Sequence, residues 1–284
     1  MRVVALTVLA MVAFAANSVL ARLALSSATI DAAAFTGVRL ASGAIVLGIL
    51  LWLRGRASGV GPKLAGSWAQ SGALFGYAIC FSFAYTLLGA SLGALILFAS
   101  VQIGMVARAV WAGDRPALLE WIGLSAAACA FVYLVSPGLA APHPLGAVLM
   151  IVAGLCWAGY SLLGRGSSQP LSDTAGNFIR CLPLAILLTA LGVWAETPRP
   201  DGLFLAMASG GAASGLGYAI WYAALPHLSR TRAAVVQLSV PVIAGFGAVV
   251  FIGETVTPRL LIASAIILGG IAVAIIIAGR RRGS

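Results

Sequence analysis

Ten apolar runs of about 20 residues each occupy most of this chain of 284 residues. A helix of that length crosses the hydrocarbon core of a bilayer, and the connections between the runs are short and rich in Gly, Pro, Ser and charge. The runs are Val3–Leu25, Ala32–Leu53, Trp68–Leu88, Ser91–Trp111, Leu118–Pro137, Leu145–Gly164, Thr174–Trp194, Leu203–Leu225, Ala233–Ile252 and Leu260–Ala278. This pattern predicts an all-α, polytopic membrane protein with ten transmembrane helices.

The composition supports a lipid environment. Only 8% of the residues are charged and 61% are apolar, whereas a soluble domain has roughly 25% charged residues. The net charge of +10 does not predict a nucleic-acid partner, because the basic residues are dispersed between apolar runs instead of clustering on one solvated face. We therefore expect the lipid bilayer, and no nucleic acid, as the partner of the surface.

The distribution of Lys and Arg predicts the orientation. With a cytoplasmic N-terminus, most basic residues outside the spans fall on the inner side, and the outer segments hold only Arg199 and Arg259. Cytoplasmic loops carry such an excess of positive charge. We therefore predict an inner (plasma) membrane protein with both termini in the cytoplasm.

A repeated tetrapeptide divides the chain into two halves. Gly-Tyr-Ala-Ile occurs at Gly76–Ile79 and again at Gly217–Ile220. Further matches in the same order pair Ser18 with Ser161, Arg22 with Arg165, Arg39 with Arg180, and Gly113-Asp114 with Gly253-Glu254. Five spans per half place the halves in opposite orientations, as in alternating-access transporters. The prediction is two inverted five-helix repeats, residues 1–140 and 141–284.

The stretch from Pro241-Val242 through Gly253-Glu254 to Leu268-Gly269-Gly270 resembles the EamA-type branch of the drug/metabolite transporter superfamily. The resemblance covers nearly the whole chain and implies a ten-helix exporter of small metabolites. Within the family, the chain is most similar to exporters of amino acids, particularly neutral or aromatic ones. It departs at Val240, where many members have a glutamate before the proline, so a role for that glutamate is not carried over.

Candidate site residues are the polar and aromatic side chains in the middle of the spans, because inverted-repeat transporters bind substrate near the midplane between the halves. The predicted substrate-binding residues are Phe14, Asn17, Tyr77, Phe98, Gln102, Trp157, Tyr160, Tyr218 and Gln237. Rings would stack on the substrate side chain and amides would pair with its polar end. The alternatives are that the aromatic residues form interfacial belts and that the amides join helices.

No Asp or Glu lies in the middle of a predicted span. Because proton-driven pumps commonly use a buried carboxylate, this argues against a cation/proton antiporter and favours a neutral or zwitterionic substrate. A multidrug or nucleotide-sugar carrier of the same superfamily stays an alternative, as does a non-transport scaffold or intramembrane enzyme. The sequence gives no catalytic constellation, metal-ligand spacing or phosphate-binding loop, so we predict no enzyme and no cofactor.

Two arginines and two pairs of glycines lie within the predicted helices at positions that need an explanation. Arg39 and Arg180 lie about two turns inside their predicted helices, and their equivalent positions in the repeat favour a shared structural role over substrate binding. Gly72-xxx-Gly76 and Gly211-xxx-Gly215 predict close helix packing. The sequence leaves open the substrate, the transport direction, the coupling ion and the oligomeric state, and a monomer is compatible with it.

Overall fold

The computed structural model of the protein describes residues 1–58, 64–113, 117–135, 142–164, 167–228, 233 and 236–281. Nearly all of these residues are helical, and none of them forms a strand. The predicted all-α class is therefore confirmed for the described ranges.

The helices follow the predicted runs. They are α1 (Arg2–Ser26), α2 (Ala32–Ser58), α3 (Trp68–Leu87), α4 (Ala90–Trp111), α5 (Leu118–Val135), α6 (Pro144–Leu163), α7 (Pro170–Arg180), α8 (Leu182–Ala195), α9 (Pro200–Met207), α10 (Gly217–Ala224), α11 (Ser239–Ile252) and α12 (Pro258–Arg281). A π-helical segment (Ala208–Leu216) connects α9 to α10, and a 3₁₀ turn (Leu225–His227) follows α10. The turn at Gly89, which no charged residue marks, is confirmed between α3 and α4.

Six helical stretches in the described residues are long and apolar enough to cross a membrane, or seven if α7 and α8 count as one span. Helices α5 and α11 are shorter, and α3 contains Gln70, Ser71 and Ser82, which are buried against the rest of the protein. The chain is a multi-pass membrane protein, and the count of ten spans stays a prediction.

The seventh predicted span is not one continuous helix. Helices α7 and α8 are bent by 45° at the break between them. Pro183 lies in the first turn of α8; proline has no N–H to donate and its ring crowds the carbonyl four residues earlier. The sequence contained this signal, because Pro183 stands in the middle of the predicted run.

The eighth predicted span contains the π-helical segment, which has nine residues. Its small residues allow α2 to approach closely: a Cβ atom at Gly210 would lie 2.0 Å from the Arg39 carbonyl oxygen. Glycine is therefore required at position 210. Runs of π-helix are rare and are often found at functional sites.

The helix pairings are exchanged between the two predicted halves. Helix α1 packs against α10 and α11, while α6 packs against α3 and α4. Helix α2 packs against α8 and the π-helical segment, and α5 packs against α12. Each of the five helices in residues 1–140 therefore packs against at least one helical segment of residues 141–284.

The small-residue pairs pack as predicted at three of their four glycines. A Cβ atom at Gly76 would lie 3.1 Å from Cys156 Sγ, and one at Gly211 or Gly215 would lie 3.2 or 3.0 Å from Val46. The fourth, Gly72, faces open space. Close packing thus brings α3 against α6 and the π-helical segment against α2.

Candidate functional site

Ten aromatic side chains form one connected group where the two predicted halves meet. This aromatic cluster consists of Phe14, Tyr77, Phe81, Tyr85, Trp157, Tyr160, Phe178, Tyr218, Trp221 and Tyr222. Helices α1 and α3 supply four of the rings, and α6, α7 and α10 supply the others. Centroid separations run from 4.7 Å to 6.3 Å, the range in which tilted and edge-on rings attract.

The centre of the aromatic cluster is made by predicted site residues. The Trp157 ring lies 4.7 Å from Tyr77 and 5.5 Å from Tyr218. Tyr160 lies 5.6 Å from Trp157, and Phe14 lies 5.5 Å from Tyr218. Five of the nine predicted residues are thus brought together, from helices that are distant in the sequence.

Asn17 lies one turn beyond Phe14 on α1 and joins this helix to the π-helical segment. Its Oδ1 atom accepts hydrogen bonds from Ser209 Oγ at 2.8 Å and Ser214 Oγ at 3.4 Å. All three side chains are buried. Hydroxyl donors on two successive turns therefore satisfy the amide oxygen of Asn17 within the apolar interior.

The other three predicted residues lie elsewhere. Among the described residues, no ring contact joins Phe98 to the aromatic cluster; it is half-buried beside both hydrophobic cores. Gln102 lines a small apolar cleft between α4, α5 and α12, and Gln237 is half-buried just before α11. Their roles as substrate ligands stay predictions.

Arg39 is the charged group of the aromatic cluster. It is only 3% exposed. Its Nη2 atom donates to Tyr77 Oη at 2.9 Å, and its guanidinium carbon lies 4.5 Å from the centroid of Phe81 and 5.2 Å from that of Tyr77. Cation–π contacts of this kind are strengthened when the pair is desolvated. The Nη1 atom is buried without a hydrogen-bond partner in the described part of the chain.

Polar groups of α7 continue the site toward one end of the protein. Thr174 Oγ1 lies 3.3 Å from Tyr160 Oη and 3.1 Å from Tyr222 Oη. Asn177 Nδ2 donates to Tyr160 Oη at 3.5 Å. Thr174 and Asn177 were not among the predicted site residues. The argument that selected Gln102, an amide within a hydrophobic span, applies equally to Asn177.

At one end of α3, the Glu254 carboxylate joins the two predicted halves; we call this region the Glu254 end. Glu254 accepts hydrogen bonds from Ala90 N at 2.5 Å, Ser91 N at 3.2 Å and Ser91 Oγ at 3.1 Å. These groups form the start of α4, where the helix dipole favours negative charge. Arg22 Nε lies 3.8 Å from Glu254 Oε1, and Arg22 Nη1 donates to Tyr85 O.

A left-handed turn places this carboxylate. Gly253 has φ +73, and Glu254 N donates to Ala248 O, which ends α11 and turns the chain toward α4. Gly113, the predicted equivalent of Gly253, is also left-handed, with φ +96. Asp114 and Arg165, the predicted equivalents of Glu254 and Arg22, lie outside the described residues.

At the opposite end of α3, contacts of several side chains join the predicted halves; we call this region the Asp173 end. Asp173 Oδ1 accepts from Gly66 N at 2.9 Å, and Asn177 Oδ1 accepts from Ser67 N at 3.0 Å. Arg180 Nη1 donates to Ala65 O at 2.6 Å. Helix α3 has 20 residues, so the two ends are about 30 Å apart. The aromatic cluster lies between them.

Comparison with known proteins identifies the family. The model of the EamA-like transporter family matches residues 1–136 and 144–276. The chain belongs to the EamA-like transporter family. This membership confirms the resemblance found in the sequence and makes the aromatic cluster part of a membrane transporter.

Relatives of this EamA-like transporter include Uncharacterized protein PA1977 of Pseudomonas aeruginosa, which is 46% identical over 273 residues, covering 95% of this chain and 93% of that protein. The Threonine/homoserine exporter RhtA of Escherichia coli (strain K12) is 27% identical over 166 residues, covering 56% of this chain and 55% of the exporter. The match thus spans about half the length of that exporter. A crystal structure whose chain is 22% identical superposes with a TM-score of 0.62. The match covers 94% of this chain and 96% of the crystallised chain, which shows that the two share a fold.

The described residues contain no group of three or more His, Cys, Asp or Glu side chains that could hold a metal ion. The side chains of the aromatic cluster and their neighbours offer ring stacking, hydroxyl and amide hydrogen bonding, and the charge of Arg39. This set can bind a small molecule with one apolar end and one polar end.

Proposed function

We propose that this EamA-like transporter exports neutral amino acids, including aromatic ones, across the inner membrane by alternating access. The observation that carries the proposal is the aromatic cluster, which joins α1 and α3 to α6, α7 and α10. Rings can stack on an apolar side chain, and the hydroxyl groups of Tyr160 and Tyr218 and the amide of Asn17 can serve the polar end of an amino acid.

The substrate class has support from a relative and from charge. The Escherichia coli exporter that matches this chain over about half its length is named for threonine and homoserine, which are neutral amino acids. Asp173 and Glu254, the carboxylates that lie at the two ends of α3, are each engaged by backbone N–H groups. A zwitterion with no net charge suits a site without a free carboxylate.

We base the mechanism on the position of the aromatic cluster between the Glu254 end and the Asp173 end. We propose that residues 1–140 and 141–284 are inverted halves which rock about the cluster. The exchanged helix pairings and the left-handed turns at Gly113 and Gly253 support this division. Opening toward one side would break the contacts of the Glu254 end, and opening toward the other would break those of the Asp173 end.

The test is transport by the purified protein in liposomes. We would load liposomes with unlabelled L-threonine or L-phenylalanine and follow counterflow of the labelled amino acid, without an ion gradient. We expect saturable counterflow in the natural protein and a loss of about tenfold or more in Trp157→Ala, because that ring contacts both Tyr77 and Tyr218.

The matched control is Trp194→Ala, which removes an indole that is 88% exposed. We expect this variant to transport like the natural protein. Absence of counterflow for every amino acid, with or without an imposed proton gradient, would contradict the proposal and favour a drug-like or nucleotide-sugar substrate. Equal losses in both tryptophan variants would remove the aromatic cluster from the substrate path.

A further inference from the structure

We propose that Arg39 binds the carboxylate group of the transported molecule, because its guanidinium is buried among the rings of the aromatic cluster with one nitrogen unpartnered. The inference rests on the proposed function, since it names the group that fixes an amino acid in that site. It replaces the structural role that the repeat pattern favoured for Arg39.

The first step is the charge of Arg39. An arginine remains protonated in proteins, and Arg39 is 3% exposed. The ion pairs Arg22–Glu254 and Arg199–Asp201 do not involve Arg39, and no carboxylate in the described ranges forms an ion pair with it. A buried cation without an anion is costly, and charged side chains deep in membrane proteins commonly mark substrate pathways.

The second step is the geometry of the guanidinium. Tyr77 Oη accepts from Nη2 at 2.9 Å, whereas Nη1 is buried and has no acceptor in the described part of the protein. Such a donor loses its water without gaining a partner. A carboxylate presents acceptors that match the guanidinium fork, and the pair is stronger than neutral hydrogen bonds.

The third step is the distance to the rings that would receive the rest of the molecule. The guanidinium lies 5.2 Å from the Tyr77 centroid, and the Tyr77 ring lies 4.7 Å from Trp157. A carboxylate on Arg39 would therefore place an amino-acid side chain within reach of Trp157 and Tyr218. The charge and the stacking surface belong to one site.

Arg180 shows what a structural arginine looks like in this fold. It is half-buried, donates to the Ala65 carbonyl oxygen, and lies 5.9 Å from the centroid of Trp68. A main-chain acceptor therefore satisfies the equivalent arginine at the Asp173 end. Arg39 has the same place in the repeat but no such acceptor for Nη1, so Arg180 is the matched control.

The experiment measures binding to purified protein through quenching of intrinsic tryptophan fluorescence. The probes are two pairs that differ only in the carboxyl group: L-phenylalanine with L-phenylalaninamide, and 3-phenylpropionate with 3-phenylpropionamide. We expect the natural protein to bind each acid about ten- to a hundredfold more tightly than its amide. Arg39→Gln should bind acid and amide about equally, with amide affinity within about twofold of the natural value, and Arg180→Gln should keep the preference.

The outcomes separate this inference from the proposed function. Equal binding of acid and amide by the natural protein overturns the role of Arg39, whatever the variants do, and leaves amino-acid counterflow as an independent result. An unchanged preference in Arg39→Gln, or equal loss of acid and amide binding in a folded variant, also overturns it. A preference for 3-phenylpropionate that Arg39→Gln abolishes, in a protein without amino-acid counterflow, supports Arg39 and rejects the amino-acid substrate.

Discussion

At the Glu254 end, one carboxylate accepts three hydrogen bonds and pairs with Arg22, whereas at the Asp173 end the contacts between halves are divided among three side chains of α7. Both ends use the same kind of contact: side-chain oxygens of residues 141–284 accept hydrogen bonds from N–H groups at the start of α3 or α4. They differ in how many interactions depend on one residue. A single substitution can therefore disrupt the first end, while the second end should lose its contacts one at a time.

The difference also bears on transport. In the proposed alternating-access mechanism each end opens and closes in turn, and we expect a single substitution to open the end whose contacts depend on one side chain. Four predictions test this contrast.

The largest effect is expected for Glu254→Gln. The Glu254 and Arg22 side chains are 18% and 25% exposed, so the substitution leaves a mostly buried arginine without its anion and weakens the cap of α4. We expect a loss of about 2–4 kcal/mol of stability, measured as a lower midpoint of thermal denaturation in detergent. The control is Asp201→Asn, which breaks an ion pair with side chains 67% and 51% exposed and should cost about 0–1 kcal/mol. Similar losses in the two variants would show that Glu254 is not the main contact of its end.

The second prediction compares two glycines, Gly66 at the Asp173 end and Gly89 at the Glu254 end, which lie against the residues that join the predicted halves. Gly66 has φ +82, and a Cβ atom there would lie 2.2 Å from Asn177 Oδ1. A Cβ atom at Gly89 would lie 2.9 Å from Glu254 Oε1, the end of a longer side chain that can move. We expect Gly66→Ala to cost about 2–3 kcal/mol through strain and crowding, and Gly89→Ala about 1 kcal/mol or less. Thermal denaturation of both variants checks this order, and a larger loss for Gly89→Ala would contradict it.

The helical class and the main helices could be predicted because the length of each apolar run can be read from the local sequence alone. The π-helical segment could not, since its wide turns depend on the approach of α2 to Gly210. The predicted rings of Tyr77, Trp157 and Tyr218 lie together in the structure because these mid-span residues face the interface between helices.

The polar contacts at the two ends of α3 could not be predicted for a different reason. Glu254 and Asp173 belong to connections or helix starts, where sequence gives no information about the partner in the distant half. The depth of Arg39 in its predicted helix marks it as unusual in the sequence, but its equivalence to Arg180 predicts one role for both. Only the three-dimensional environment separates them, because Arg180 reaches a carbonyl oxygen and Arg39 Nη1 has no acceptor among the described residues.

The third prediction concerns the divided contacts of the Asp173 end. Asp173→Asn and Asn177→Ala should each cost about 1–2 kcal/mol, because each removes only part of the hydrogen bonding to Gly66 and Ser67. The double variant should lose more than either single variant, and because the two residues are one helical turn apart with adjacent partners, the departure from the sum of the single losses measures their coupling. The measurement is again thermal denaturation. A single variant that matches the double variant would show that this end also depends on one residue.

The smallest expected effect is a change in the exposure of Cys181. This thiol is buried and contacts Ser71 O at 3.4 Å, so it reports on the packing of α7 against α3. In a protein whose other cysteines, Cys80, Cys129 and Cys156, are replaced by alanine, we expect Asp173→Asn to raise the labelling rate with a water-soluble maleimide about two- to fivefold. Glu254→Gln should leave that rate unchanged or lower it, because opening the opposite end keeps α7 packed on α3. Equal acceleration by both substitutions would mean that the two ends loosen together, and the rocking of two halves about the aromatic cluster would then be the wrong description of the motion.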